Sequence, residues 1–114
     1  MIIVSNKPSY YVNKILDHYK ISKYFDAISG GDTFKHRKPD PKHLFSTIEL
    51  TGIEKYNCCF IGDSINDALC AEKADVKLIL LEHGYSLHNL HKLNADYVLP
   101  NLKNLSSKIC KLLL

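Results

Sequence analysis

A chain of 114 residues, 46% of them hydrophobic, can form one globular domain and is too apolar to stay disordered. Its formal net charge of +3 comes from basic residues scattered along the chain, with Arg37 the only arginine, so there is no basic stripe of the kind a nucleic-acid partner requires. Cys58, Cys59, Cys70 and Cys110 form no C-x-x-C pair, which argues against a zinc site or disulfide framework, and no apolar run is long enough for a signal peptide or membrane span; a soluble cytoplasmic protein without a membrane or nucleic-acid partner is expected.

Met1 to Val4 is a short apolar run stopped by Ser5-Asn6 and reads as a buried strand. Pro8 suits a first helical turn, and Tyr11, Val12, Ile15, Leu16 and Tyr19 recur at helical spacing, predicting a helix from about Pro8 to Tyr19. A short strand is predicted at Ala27 to Ser29, broken by Gly30-Gly31-Asp32. Pro39 and Pro41 should hold the following basic segment in an extended path, with a helix from about Pro41 to Gly52 turning Leu44, Phe45, Ile48 and Leu50 inward. Cys58 to Ile61 and Val76 to Leu81 read as continuously apolar strands, with a helix between them carrying Ile65, Ala68, Leu69, Ala71 and Ala74. Tyr97 to Leu99 is a weaker strand, and Leu102 to Leu114 a closing helix better suited to packing on a sheet than to a membrane surface. Core strands that do not alternate, separated by helices, predict a doubly wound α/β parallel sheet covered on both faces, with its site at the C-terminal strand ends.

Three features could carry chemistry. Gly62-Asp63-Ser64-Ile65-Asn66-Asp67 follows a predicted strand directly, so Asp63 is aimed at the sheet rim with Asp67 one helical turn on. Two carboxylates there suit Mg²⁺, which keeps several waters beside one or two such ligands. The plainer explanation is a helix start, with Asp63 or Ser64 as cap and Asp67 in the first turn. Lys38, ahead of Pro39-Asp40-Pro41, could reach a phosphate as a point charge or simply be a solvated loop lysine. Ser5 with the backbone of Asn6 could grip a phosphate oxygen or only start a turn. His83, His88 and His91 lie close in sequence, but no carboxylate or cysteine completes a metal set, and a polar surface helix is the expectation there.

Order and spacing change the weight of these features. A strand ending in Ser5, then Lys38-Pro39, then a strand ending in Gly62-Asp63-Ser64 with Asn66-Asp67 resembles the second, third and fourth signature motifs of haloacid dehalogenase (HAD)-like hydrolases. Val4 to Pro8, Gly30 to Thr33, Arg37 to Pro41, Phe60 to Asp67 and Gly84-Tyr85 are similar to bacterial phosphoglycolate phosphatases, across essentially the whole chain. The resemblance implies a Rossmann-like HAD core, Mg²⁺ as cofactor and a small phosphorylated metabolite such as 2-phosphoglycolate as substrate. It implies that Asp63 ligates the metal, that Asp67 holds a metal-bound water or Lys38, that Ser5 and Asn6 bind phosphoryl oxygens, and that Lys38 neutralises charge between nucleophile and phosphate.

The chain departs from that pattern at one point. The family's first strand ends in an Asp-x-Asp pair that supplies nucleophile and acid/base. Before Lys38 this chain has only Asp17, Asp26 and Asp32, none in such a pattern. Residues 1–114 therefore read as the C-terminal part of a HAD-like phosphatase core, without first strand or cap domain, with an N-terminal fragment supplying the Asp-x-Asp strand as the implied partner. The alternatives are an inactive remnant or a phosphate- and Mg²⁺-binding module; a receiver domain is disfavoured because Met1 to Ser5 carries no acidic residue. A rigid gap where that strand belongs would leave two strand edges unpaired, at roughly 10–30 kcal/mol if they stayed buried. Direct pairing of Met1–Ser5 with Cys58–Ile61 is the expectation for the single chain.

Overall fold

The computed structural model of the chain describes residues 1–82 and 89–114. Strand β1 (Ile2–Val4) leads into helix α1 (Ser9–His18), strand β2 (Ala27–Ser29), helix α2 (Pro41–Glu49), strand β3 (Cys59–Gly62), helix α3 (Ile65–Ala74), strand β4 (Lys77–Leu81), strand β5 (Tyr97–Leu99) and helix α4 (Leu105–Leu113). These bounds match the apolar periodicity closely, most ends falling within one residue; α2 stops earlier, at Glu49, so that Leu50 is exposed and not turned inward, and α4 starts later. The basic segment differs: it is not extended. The Lys38–Pro39 peptide is cis, and the Asp40 N–H closes a turn onto the Arg37 carbonyl at 2.9 Å. Asp40 then caps α2, its Oδ1 accepting from the Lys42 N–H at 2.9 Å, with Pro41 in the first turn where its missing donor is harmless. His91 lies in a single 3-10 turn (Leu90–Lys92) with its Nε2 2.6 Å from Glu82 Oε1, where a surface helix was expected; His83, His88 and Gly84-Tyr85 lie outside the described residues.

All described strand pairs are parallel, and the architecture is α/β and Rossmann-like. They form two sheets: β1 pairs β2, and β4 lies between β3 and β5. Leu78, Ile79 and Leu80 of β4 are all nearly or fully buried, as a central strand requires. Helix α3 serves both halves of the core. Cys70 and Ala74 pack with Val4, Leu44, Ile48 and Val76, while Ala68 and Ala71 pack with Leu78, Leu80 and Leu90. No described helix is long and apolar enough to cross a membrane.

The expected direct pairing of the first and third strands is not found. Among the described residues, β1 and β3 each leave one edge without a partner strand, and both strands line a cavity of about 510 Å³. Leu44, Ile48 and Val76 line it as well, together with Ile109 and Leu113 of α4. The two sheets are held together by α2, which packs on β1, β2 and α3, so strand pairing is not needed to join them. β3 itself is only partly buried, Ile61 being 36% exposed.

One polar cluster sits inside this core. Ser29, His43 and Thr47 are all fully buried, with Ser29 Oγ 2.7 Å from Thr47 Oγ1 and 3.0 Å from His43 Nε2. Thr47 gives its hydroxyl proton to the His43 carbonyl at 2.8 Å, and the Ser29 hydroxyl also lies 3.3 Å from the Ile3 carbonyl. His43 Nδ1 is buried without a side-chain hydrogen-bond partner among the described residues. Burial, and then the Lys38 charge, hold the His43 pKa below its ordinary 6.5. The sign follows directly: the unfolded chain binds the proton first, so stability is intact above pH 6.5 and is lost as pH falls through the lower folded value. Replacing His43 by Leu is expected to remove that dependence, which for one proton is at most about 1.4 kcal/mol per pH unit. Urea unfolding of both proteins at several pH values checks it; parallel pH profiles would contradict it.

Candidate functional site

Parallel strands place the C-terminal ends of β1, β2 and β3 on one rim, and the loops that leave them interlock. The Gly31 N–H donates to the Lys7 carbonyl at 2.8 Å, and Asp32 Oδ1 accepts from the Ser9 N–H at 2.8 Å, capping α1 from the neighbouring loop. A Cβ on Gly31 would lie 2.2 Å from the Asn6 carbonyl oxygen, so only glycine permits this approach.

At the end of β3 the sequence builds a capping box. Ser64 is the N-cap of α3, its Oγ accepting from the Asp67 N–H at 3.3 Å. Asp67 Oδ2 reaches back to the Ser64 N–H at 3.1 Å, the Ser64 hydroxyl at 2.8 Å and the Asp63 N–H at 3.0 Å. A Cβ on Gly62 would fall 2.4 Å from Asp67 Cβ, so glycine at the strand end lets this carboxylate fold over it. The other oxygen, Oδ1, accepts from Lys38 Nζ at 2.7 Å, and both side chains are largely buried. Asp67 thus serves both of the uses considered for it, completing the helix start and holding Lys38. Its pKa is pushed up by burial but lowered further by the Lys38 charge and its hydrogen bonds, and it ends below the usual 3.8.

Asp63 is different. It forms no ion pair among the described residues, and burial followed by repulsion from Asp67 raises its pKa, with Lys38 offsetting part of the rise. A carboxylate kept short of a cation at the rim of a sheet is what a bound Mg²⁺ would relieve. Among the described residues no cluster of three or more His, Cys, Asp or Glu surrounds it, so this chain offers one unengaged carboxylate and not a full ligand set. Ser5 continues the β1 ladder through its N–H to the Ser29 carbonyl at 3.0 Å, and its Oγ accepts from the Lys7 N–H at 3.1 Å. That is a turn-starting role that leaves the hydroxyl proton free to donate.

Asn6 was expected to act through its backbone, but its side chain is what engages the site. Oδ1 accepts from the Lys38 N–H at 2.9 Å and Nδ2 donates to the Lys38 carbonyl at 2.7 Å. Phe60 was also missed: the Lys38 ammonium lies 5.5 Å from its ring centroid. Neither contact has a signature in local sequence, since each joins residues at least 22 positions apart. The structure therefore brings together Asn6, Lys38, Asp67 and, through its backbone N–H on the Asp67 carboxylate, Asp63, with Ser5 beside Asn6.

A family model for haloacid dehalogenase-like hydrolases matches residues 1–81. The chain belongs to this family. A phosphoglycolate phosphatase of Pseudomonas fluorescens (strain Pf0-1) is 43% identical over 86 residues, which are 75% of this chain and 32% of that protein. One from Photorhabdus laumondii is 36% identical over 110 residues, 96% of this chain and 47% of that protein. The crystal structure of a predicted phosphoglycolate phosphatase from Haemophilus somnus superposes with a TM-score of 0.88 at 25% identity, covering 94% of this chain and 48% of that one. A HAD-superfamily hydrolase from Ehrlichia chaffeensis, at 28% identity and a TM-score of 0.79, covers the whole of this chain and 51% of its own. The chain spans about a third to a half of the length of these relatives.

Proposed function

We propose that residues 1–114 are the C-terminal part of a HAD-like phosphatase core, working as a Mg²⁺-dependent phosphomonoesterase of the phosphoglycolate phosphatase type once a strand ending in Asp-x-Asp is supplied. The observation that carries this reading is the open slot between β1 and β3, with Lys38, Asp67 and Asp63 at its rim. One parallel strand in that slot would join the sheets of two and three strands into a single sheet of six. If that strand comes first in the chain, the spatial order becomes 3-2-1-4-5-6, the common doubly wound order, with its ligand crevice where the order reverses. That crevice lies at the C-terminal ends of the new strand and β3, beside Asp63. The apolar lining of the slot favours a strand apolar on both faces, as in other buried parallel sheets.

In this reading the Lys38 ammonium neutralises charge between the incoming carboxylate and the phosphoryl group, held in place by Asp67. The Ser5 hydroxyl and the Asn6 backbone bind phosphoryl oxygens. Asp63 would ligate Mg²⁺, whose contribution when bound is to offset phosphate charge and fix its orientation. The similarity to phosphoglycolate phosphatases favours a small phosphorylated metabolite, 2-phosphoglycolate among them. A second reading, that the chain alone is a Mg²⁺- and phosphate-binding module or an inactive remnant, is favoured by one observation: no Asp-x-Asp occurs in its sequence.

Mg²⁺ titration by calorimetry tests the metal role. Wild type is expected to bind weakly, through one protein carboxylate, and Asp63→Asn not at all. Because the Asp63 pKa is raised, its charge opposes folding at neutral pH, so Asp63→Asn should also raise metal-free stability. Equal Mg²⁺ affinity in the two proteins would show that Asp63 is only part of a helix start.

A further inference from the structure

We infer that the Asn6 side chain is a positioning residue that aims Lys38 into the slot rim, a role separate from any contact of its own with phosphate; the inference rests on the reading of Lys38 as the charge that meets the phosphoryl group.

A lysine side chain carries about 2 kcal/mol of rotamer entropy and places its charge well only if its Cα is fixed. Lys38 sits in a loop, without strand or helix to fix it. Asn6 supplies that constraint. Its Oδ1 takes the Lys38 N–H and its Nδ2 takes the Lys38 carbonyl, at 2.9 and 2.7 Å, so one amide holds both peptide groups that flank the Lys38 Cα. The amide orientation is unambiguous, because an N–H can only donate and a carbonyl can only accept. At this reach Asp lacks the donor and Ser has one atom where two are needed.

The clamp also spans the slot. Asn6 follows β1, and Lys38 in turn binds Asp67 on α3, which follows β3. Asn6, Lys38 and Asp67 thus form one polar chain between the rims of two sheets that share no strand pair. Gly31 backs the clamp, since any side chain there would press on the Asn6 carbonyl oxygen. Displacing Asn6 should therefore free the ammonium even though Asn6 does not touch it.

Lysine NMR of the full chain reads this directly, because an ammonium held in a buried ion pair exchanges its protons slowly. The slow signal that Lys38→Met removes is expected to exchange on the order of tenfold faster in Asn6→Ala, which loses two hydrogen bonds. Asn6→Asp keeps the acceptor for the Lys38 N–H and should fall between; being isosteric, it decides the matter if Asn6→Ala does not fold. Gly31→Ala should move the signal the same way. Unchanged Lys38 exchange in folded Asn6→Ala or Asn6→Asp would overturn the inference, as would the absence of any slow Lys38 signal in wild type. Inorganic phosphate titrated with Mg²⁺ separates this from the phosphate reading itself. Lost affinity in Asn6→Ala that adds nothing to the loss in Lys38→Met supports both. A wild-type chain that binds no phosphate, while Asn6→Ala still frees Lys38, upholds the positioning role and sinks the phosphate site.

Discussion

Asp67→Ala is expected to destabilise the chain by about 3–5 kcal/mol, the usual cost of removing one partner of a buried ion pair. The side chains of Lys38 and Asp67 are only 12% and 6% exposed, so the ammonium left behind cannot be rehydrated in place. The substitution also strips three donors of their acceptor: the Ser64 N–H and hydroxyl and the Asp63 N–H. Against a total domain stability of ~5–15 kcal/mol, that is a large fraction. Lys38→Met should cost much less, about 1–2 kcal/mol, because Asp67 keeps its other three hydrogen bonds and the methionine can lie against Phe60. Urea unfolding of the two variants measures the asymmetry. Losses below about 1 kcal/mol for both would mean that the pair is solvated and does not hold the rim together.

The second large effect concerns turnover. Lys38, Ser5 and Asp63 can place and neutralise a phosphoryl group, but none of them replaces an attacking carboxylate. The chain by itself is expected to hydrolyse 2-phosphoglycolate and a generic aryl phosphate several orders of magnitude more slowly than ~1 per second, the low end of ordinary enzyme rates. Assays of the purified chain with excess Mg²⁺ check this. Turnover at ordinary rates would show that a group within these residues acts as nucleophile and would remove the need for a donated strand.

Much of the fold was legible in the sequence because its strands are short apolar runs bounded by Ser-Asn, Gly-Gly and Gly-Asp, and its helices carry clean apolar faces. Ala27–Ser29 could be read to the residue from composition and breakers alone, and β3 to within one residue, its expected range of Cys58–Ile61 shifting to Cys59–Gly62. The turn at Lys38-Pro39 could not, because a proline favours an extended residue before it in general, and the closing bond from Asp40 to Arg37 depends on tertiary context. The open slot was misjudged for a different reason. Closure by direct pairing of β1 with β3 is not needed to unite the sheets, because α2 packs on β1, β2 and α3 and joins them. Within the site, Lys38, Asp63 and Asp67 stood out through adjacent prolines, a strand-end glycine and a place in the first turn of the following helix. The Asn6 clamp left no local trace, since an asparagine after a strand reads as a turn residue whatever its amide touches.

The central claim is that the slot between β1 and β3 receives a parallel strand that completes both the sheet and the site. Hydrogen exchange of the chain with and without a peptide whose apolar strand ends in Asp-x-Asp tests it most directly. The reading predicts that the edge amides of Ile2–Val4 and of Cys59–Gly62 not bonded to β2 or β4 gain protection together, because one strand in the slot must pair with both edges at once. Protection of one edge alone, or of neither at saturating peptide, would contradict it.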